Sequence, residues 1–296
     1  AARPFACDRQ AMNTCAPRRA NSHAVTRPMP VLAPVMRATR PARDEVLVLL
    51  MRWVPADKDS GIVHVRPGVR MPTPHSPIQS QRTLARNPIA PYPLPGEECV
   101  AYNKISWPLN TDRMVLLVHD MQNYWVDLFA EPGPLLANVA ALVSGFRDAR
   151  MPVFFCRGER AKSRFERGLG LTVWGDGLNA AHVTDRDCEI IDALAPRADE
   201  YVIHKPRHSA FFDTELEPTL RKMNRDQVIV CGVFAHHGVM VSCIDGYMRN
   251  FQMTMVADAL GDYSEPEHRM ALQYVAQMCG SVSTQRRVTD LLPLKD

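Results

Sequence analysis

The chain has 296 residues with 35 Lys+Arg, 32 Asp+Glu and eight cysteines. That length allows one large domain or two small ones. The net charge of +3 is an average of two unlike parts and gives no argument for nucleic-acid binding by the folded part. Residues 1–70 hold 12 Lys+Arg and 5 Asp+Glu, a net +7, against −4 for the remainder, and 15 of the 24 prolines lie at or before Pro95.

Residues 1–84 read as a disordered, basic, Pro/Arg-rich segment. No 3.6-residue or 2-residue apolar period persists in the first 70 residues except the short run Glu45–Val54. So little apolar surface cannot offset the entropy of ordering a chain. The segment has neither the sustained amphipathic pattern of a transit peptide nor the apolar core of a secretory signal. Met71 is the expected start of the working protein, and a chain beginning there is expected to fold and function alike. No run of about 18 apolar residues occurs, so no membrane span is expected. The cysteines form no CxxC pair, and Cys156, Cys188, Cys231, Cys243 and Cys279 sit inside apolar patterns. Free buried thiols in a cytoplasmic protein are expected.

From residue 85 to 296 the pattern is that of one α/β domain. Arg113–His119 is a near-continuous apolar run, the mark of a strand buried on both faces. Pro134–Arg150 carries Leu135, Val139, Leu142 and Phe146 at helical spacing, with Pro near its start. Pro152–Cys156 reads as a second strand. The stretch Arg157–Asp185 is too long for a mere connector. A short helix over Asp187–Leu194, a strand over Glu200–Ile203 and a helix over Thr214–Asn224 follow. Gln227–Val233 is a fourth strand, Val239–Asn250 a helix, Met253–Ala257 a fifth strand, Glu265–Cys279 a helix and Ser281–Thr284 an edge strand. Strand and helix alternate throughout, which predicts a three-layer α/β/α domain around a mostly parallel sheet. In such sheets ligands sit beyond the carboxyl ends of the strands.

Three strand ends carry reactive residue types: Asp120 after the first, Lys205 after the third, and Gly232–Gly238, opening a helix, after the fourth. Singly each has an ordinary explanation, respectively a turn residue, a solvated charge and a tight turn. Together they can converge on one site. The histidines give no metal-ligand spacing: His236 and His237 are adjacent, and Pro206 separates His204 from His208. No metal and no cofactor are expected, and His236 reads as structural.

The segments Leu117-Val118-His119-Asp120-Met121-Gln122, Trp174-Gly175-Asp176-Gly177, Ser209-Ala210-Phe211, Arg225-Asp226-Gln227, Gly232-Val233-Phe234-Ala235-His236 and Val256-Ala257-Asp258-Ala259 resemble, in order, those of the isochorismatases of siderophore and phenazine biosynthesis. These belong to a larger cysteine-hydrolase-like family that includes nicotinamidases. The resemblance runs from about Ala90 to Leu292. In the wider family an Asp, a Lys and a Cys form the site. In isochorismatases the Cys position is Gly, as Gly238 is here. It therefore implies hydrolysis of the enolpyruvyl vinyl ether of isochorismate to a dihydrodiol and pyruvate, with no covalent intermediate. Asp120 would be the general acid, Lys205 would orient it and hold a substrate carboxylate, and Gly238 would leave room. An ordinary aspartate is ionised at neutral pH, so the acid role requires a dry complex with an anionic substrate. Gln122, Arg157, Arg167, Trp174 and Phe234 are the implied substrate-binding residues, Arg167 as a carboxylate clamp and Trp174 as a wall. A cis peptide at Val233–Phe234 is also implied.

The chain departs from the family where Arg157 stands for Gln, Phe234 for Tyr, and Pro206 and His208 for Trp and Tyr. These departures touch recognition and leave the acid intact. The substrate expected is a small isochorismate-like dicarboxylate, with no nucleic acid or membrane partner. A homodimer and a separate aryl carrier protein or synthetase are the expected partners. The alternatives are the same reaction on 2-amino-2-deoxyisochorismate, a cysteine amidohydrolase, which Gly238 disfavours, and a non-catalytic partner in a biosynthetic assembly.

Overall fold

In the computed structural model, residues 88–293 are described. The segment 1–84 and the Met71 start lie outside them.

Six strands form one sheet in the order β3-β2-β1-β4-β5-β6. They are β1 (Met114–His119), β2 (Val153–Gly158), β3 (Tyr201–Lys205), β4 (Gln227–Val233), β5 (Gln252–Gly261) and β6 (Gly280–Ser283). Every neighbouring pair is parallel. All six residues of β1 and all seven of β4 are buried, which is why those strands read as unbroken apolar runs.

Alternate residues of each strand feed two separate cores. On one face Met114, Leu116, Val118, Phe155, Ile229 and Cys231 meet Leu135, Val139, Leu142 and Phe146. The latter come from α1 (Gly133–Asp148). On the other face Val115, Leu117, Phe154, Val228 and Val230 meet Leu216, Leu220, Cys243, Leu272 and Val275. Those come from α2 (Leu216–Lys222), α3 (Met240–Met248) and α4 (Glu265–Met278). A last short helix, α5 (Gln285–Thr289), packs Val288 into the first core. Three layers follow directly from that alternation, with each face burying its own apolar stripe.

Part of the quoted sequence pattern is scaffold. The Arg113 guanidinium holds Asp226 with two 2.7 Å bonds. Buried Gln227 accepts from the Asn110 amide at 2.8 Å and donates to Pro108 O at 2.9 Å. Asp258 accepts the Gln285 amide at the start of α5.

Two elements differ from expectation. Asp187–Leu194 is not one helix. A helical turn over Asp185–Cys188, closed by a Thr184/Asp187 capping box, ends before Ile190. Ile190 bridges Gln122 in antiparallel fashion, and Ile190 and Ile191 sink into the core. The pull of these two apolar side chains straightens the chain where a helix would have turned them apart. The long stretch after β2 holds helical turns at Arg164–Arg167 and Gly170–Trp174. β5 also runs four residues past Ala257, past an irregularity in its register with β4.

Because β2 and β4 flank β1 on opposite sides, the strand order reverses at β1. The crevice beyond the ends of β1 and β4 is the topological switch point of the sheet.

Candidate active site

Asp120 is the first residue past β1. Its amide donates to Cys156 O at 3.0 Å, and its backbone sits at φ 49°, a left-handed conformation that Asp and Asn tolerate better than most residues. This bend aims the carboxylate over the sheet end. Lys205, the last residue of β3, reaches across β2 and places Nζ 2.8 Å from Asp120 Oδ2. Both side chains are nearly buried, at 5% and 13% exposure. A second contact to Arg207 O at 3.3 Å fixes the ammonium. Asp120 Oδ1 is buried and, among the described residues, has no hydrogen-bond partner. The pair thus has one oxygen committed and one free.

His119 lies beneath, fully buried. Its Nδ1 is 3.1 Å from Val233 O and 3.4 Å from Asp120 Oδ2, and its Nε2 is 3.1 Å from Ser242 Oγ. Burial pushes its pKa down to about 4, so the ring is neutral near pH 7. Ser242 Oγ also accepts the Ala210 amide and reaches Gly238 O at 2.7 Å. Gly238 itself is buried in a π-type turn, Ala235–Val239, that opens α3. The peptide before that turn, Val233–Phe234, is cis.

Beside the acid stands an imidazole–indole cluster. The His208 and His237 ring centroids are 4.1 Å apart, and Trp174 lies 4.8 Å from His237. Burial is the largest effect on both histidines, lowering His208 and taking His237 down to about 3. His237 Nε2 is buried without a partner among the described residues. Arg167 donates Nε to Gly175 O at 3.0 Å, and burial lowers its pKa. Arg167, Lys205 and Asp120 all act on His208, which puts the guanidinium in the same neighbourhood as the acid.

The implied substrate-binding residues therefore divide. Trp174 and Arg167 come to the cluster beside Asp120. Gln122 does not present a free amide: Nε2 donates to Cys188 O (2.8 Å) and Gly158 O (3.1 Å), and Oε1 accepts from Gly158 N (2.9 Å). It pins the end of β2 to the strap that follows. Arg157 is bound to Glu189 at 2.5 Å, with Nε 3.4 Å from His204. Phe234 is buried in an aromatic stack, 4.3 Å from Tyr263 and 5.8 Å from Phe129. The reading from residue types missed His119, Ser242 and His237. His119 sits in an apolar run and reads there as core; only its place next to Asp120 could have flagged it.

Among the described residues, two groups have metal-ligand atoms within 4.8 Å of one another, His119–Asp120–Cys156 and His236–Asp262–Glu267. In the first, both imidazole nitrogens are already committed and burial holds the Cys156 thiol strongly protonated. In the second, His236 Nδ1 is 2.6 Å from Asp262 Oδ1, and Asp262 Oδ2 accepts the His236 amide, so His236 locks the turn onto β5.

The isochorismatase domain model matches residues 114–287. The chain belongs to the isochorismatase family. It is 38% identical over 204 residues to phenazine biosynthesis protein PhzD1 of Pseudomonas aeruginosa, covering 68% of this chain and 97% of that protein. It is 38% identical over 195 residues to enterobactin synthase component B of Escherichia coli, covering 64% of this chain and 67% of that one. Among solved structures, a cysteine hydrolase from Pseudomonas syringae is similar at TM-score 0.55 and 27% identity, over 63% of this chain and 95% of that chain. The protein is thus an isochorismatase-family hydrolase with the family's α/β fold. Among the described residues no helix is long and apolar enough to cross a membrane.

Proposed function

We propose that the protein hydrolyses the enolpyruvyl vinyl ether of isochorismate, giving 2,3-dihydro-2,3-dihydroxybenzoate and pyruvate, with Asp120 as general acid. The observation that carries this reading is the asymmetric Asp120 carboxylate, with glycine at position 238. Lys205 holds Oδ2, Oδ1 is free to carry a proton, and no side chain at 238 offers a nucleophile. Protonation of the terminal CH2 carbon by Asp120 makes an oxocarbenium ion. Water adds to that cation and loses a proton. The resulting hemiketal breaks the bond between its carbon and the ring oxygen; its hydroxyl proton is given up as the carbonyl of pyruvate forms, and the ring oxygen takes up a proton to become the hydroxyl. The ion forms in a crevice lined by the Asp120 carboxylate, which stabilises it electrostatically once its proton has gone. Arg167 and Lys205 suit the two carboxylates of the substrate, and Trp174 suits the ring face.

Pyruvate release from isochorismate, followed by coupled reduction with lactate dehydrogenase, is the expected result. Release confined to 2-amino-2-deoxyisochorismate would move the assignment to that substrate, and release from neither would end it. The amino analogue is favoured by one feature: His237 is a neutral ring whose Nε2 has no partner among the described residues and can accept from an ammonium group.

Lys205→Ala is expected to act on fold and turnover together. It leaves the Asp120 carboxylate in a nearly closed site without its cation. Breaking such a pair costs about 3–5 kcal/mol of stability. Urea unfolding reads this loss, and kcat/KM should fall with it, because the acid loses its anchor and the substrate a charge contact. An unchanged unfolding midpoint and unchanged kcat/KM would reduce Lys205 to a bystander.

A further inference from the structure

β1 carries a single polar side chain, His119, and it points into the space over Gly238. A Cβ built on Gly238 would lie 2.5 Å from His119 Cε1 and 3.2 Å from both His119 Nε2 and His208 O. Contacts under 3.0 Å do not occur between real atoms of these types, so something must give. The His119 ring has little freedom to do so. It is wholly buried, with one nitrogen on Val233 O and the other on Ser242 Oγ. Val233 O can accept a hydrogen bond from Nδ1, and the tautomer protonated there turns its N–H toward Val233 and Asp120. The same N–H stands 3.4 Å from Asp120 Oδ2, the oxygen that Lys205 already holds.

We propose that His119 and Gly238 act as one coupled pair. The imidazole occupies the volume that any side chain at 238 would need, and from that position it holds Asp120 Oδ2, so that Oδ1 is left as the proton-bearing oxygen. His119 is then a positioning residue for the acid, and a side chain at 238 is compatible with this site only when the imidazole is lost. The positioning half rests on the reading of Asp120 as the acid. The steric half does not.

The test is a cycle in the full chain of wild type, His119→Val, Gly238→Ala and the double variant, with His119→Asn added. Urea unfolding, which needs no substrate, reads the steric half. Gly238→Ala alone should lower the midpoint clearly, and by less than half as much when His119 is Val. Equal losses in the two backgrounds overturn the coupling. Steady-state kinetics on isochorismate read the positioning half. His119→Val should lower kcat on the order of tenfold, a coupling of ordinary size for contacting residues, with KM within about twofold. His119→Asn, whose amide N–H can replace Nδ1–H, should recover most of the loss. A rise in KM at unchanged kcat, or an Asn variant as slow as the Val variant, overturns the positioning role. If His119→Val does not fold, His119→Asn takes its place in the unfolding cycle, since Asn is also smaller than the imidazole. Full activity in Asp120→Asn would defeat the acid reading and leave the unfolding cycle standing.

Discussion

Asp120→Asn is expected to lower kcat by about 10²–10⁴-fold, the ordinary worth of a positioned general acid, while leaving KM close to wild type and the protein folded, at a lower melting temperature because Lys205 loses its counter-charge. Asn is the informative substitution for three reasons. It cannot deliver a carboxyl proton. Its side-chain oxygen can still accept from Lys205 Nζ, which stands 2.8 Å from Oδ2 in the wild type. Its backbone tolerates the left-handed conformation that position 120 adopts at φ 49°. Asp120→Ala lacks the second and third properties and would mix strain and an unpaired buried ammonium with the loss of the acid. The measurement is pyruvate release under saturating isochorismate, alongside a melting curve. Wild-type kcat in a folded Asp120→Asn protein would remove Asp120 from the chemistry and with it the mechanism above.

The outline of this site was legible from the sequence for a physical reason. A strand covered on both faces by helices must be apolar throughout, so β1 and β4 announce themselves, and polar residues at their ends stand out. Asp120 and Lys205 were found this way. Gln122 and Arg157, implied by the family resemblance, show what a local pattern leaves out. Both are polar and lie at or just beyond strand ends, which makes them look available. Whether they are depends on what the chain brings back to them: the strap around Cys188–Ile190 takes up Gln122 by hydrogen bonding and by the bridge to Ile190, and Arg157 through Glu189. Those partners are 32 to 68 residues distant in sequence, beyond the reach of any local pattern. His119 fails in the opposite direction. The residues before it are apolar, so it passes for core, and its polar contacts include Val233, Ser242 and the next residue, Asp120. The misplaced helix at Asp187–Leu194 has the same origin: local spacing favoured a helix, and burial of Ile190 and Ile191 in the core overrode it.

The buried histidines also predict a steep loss of stability in mild acid. His119 and His268 are both wholly buried, and burial takes each pKa from the usual value of 6.5 to about 4. Above pH 6.5 both are neutral, folded or unfolded, and contribute nothing to pH dependence. Between pH 6.5 and 4 the unfolded chain binds protons that the folded chain refuses, so lowering the pH favours unfolding. Each group costs about 1.4 kcal/mol per pH unit in that window. Two groups from pH 6.5 to 5 therefore remove about 3 kcal/mol, a large share of a typical folding free energy of about 5–15 kcal/mol. His237, taken down to about 3, pushes in the same direction. His236 pushes the other way: Asp262 raises its pKa, so its contribution is complete below pH 6.5 and is lost as pH rises through the folded value. One partly exposed histidine cannot offset two that are wholly enclosed. A carboxylate lowered by an arginine partner, such as Glu217 beside Arg249, loses its contribution as pH falls through the ordinary value of 4.5 and below, so it adds to the loss only at the acid end of the series. Urea midpoints at pH 7.5, 6.5, 5.8 and 5.0 check the prediction. The expected curve is nearly level above pH 6.5 and falls sharply below it, and His268→Gln, which removes one of the two enclosed rings, should flatten the fall by roughly half. A midpoint unchanged down to pH 5 would mean that these rings take up their protons as readily inside the fold as outside it.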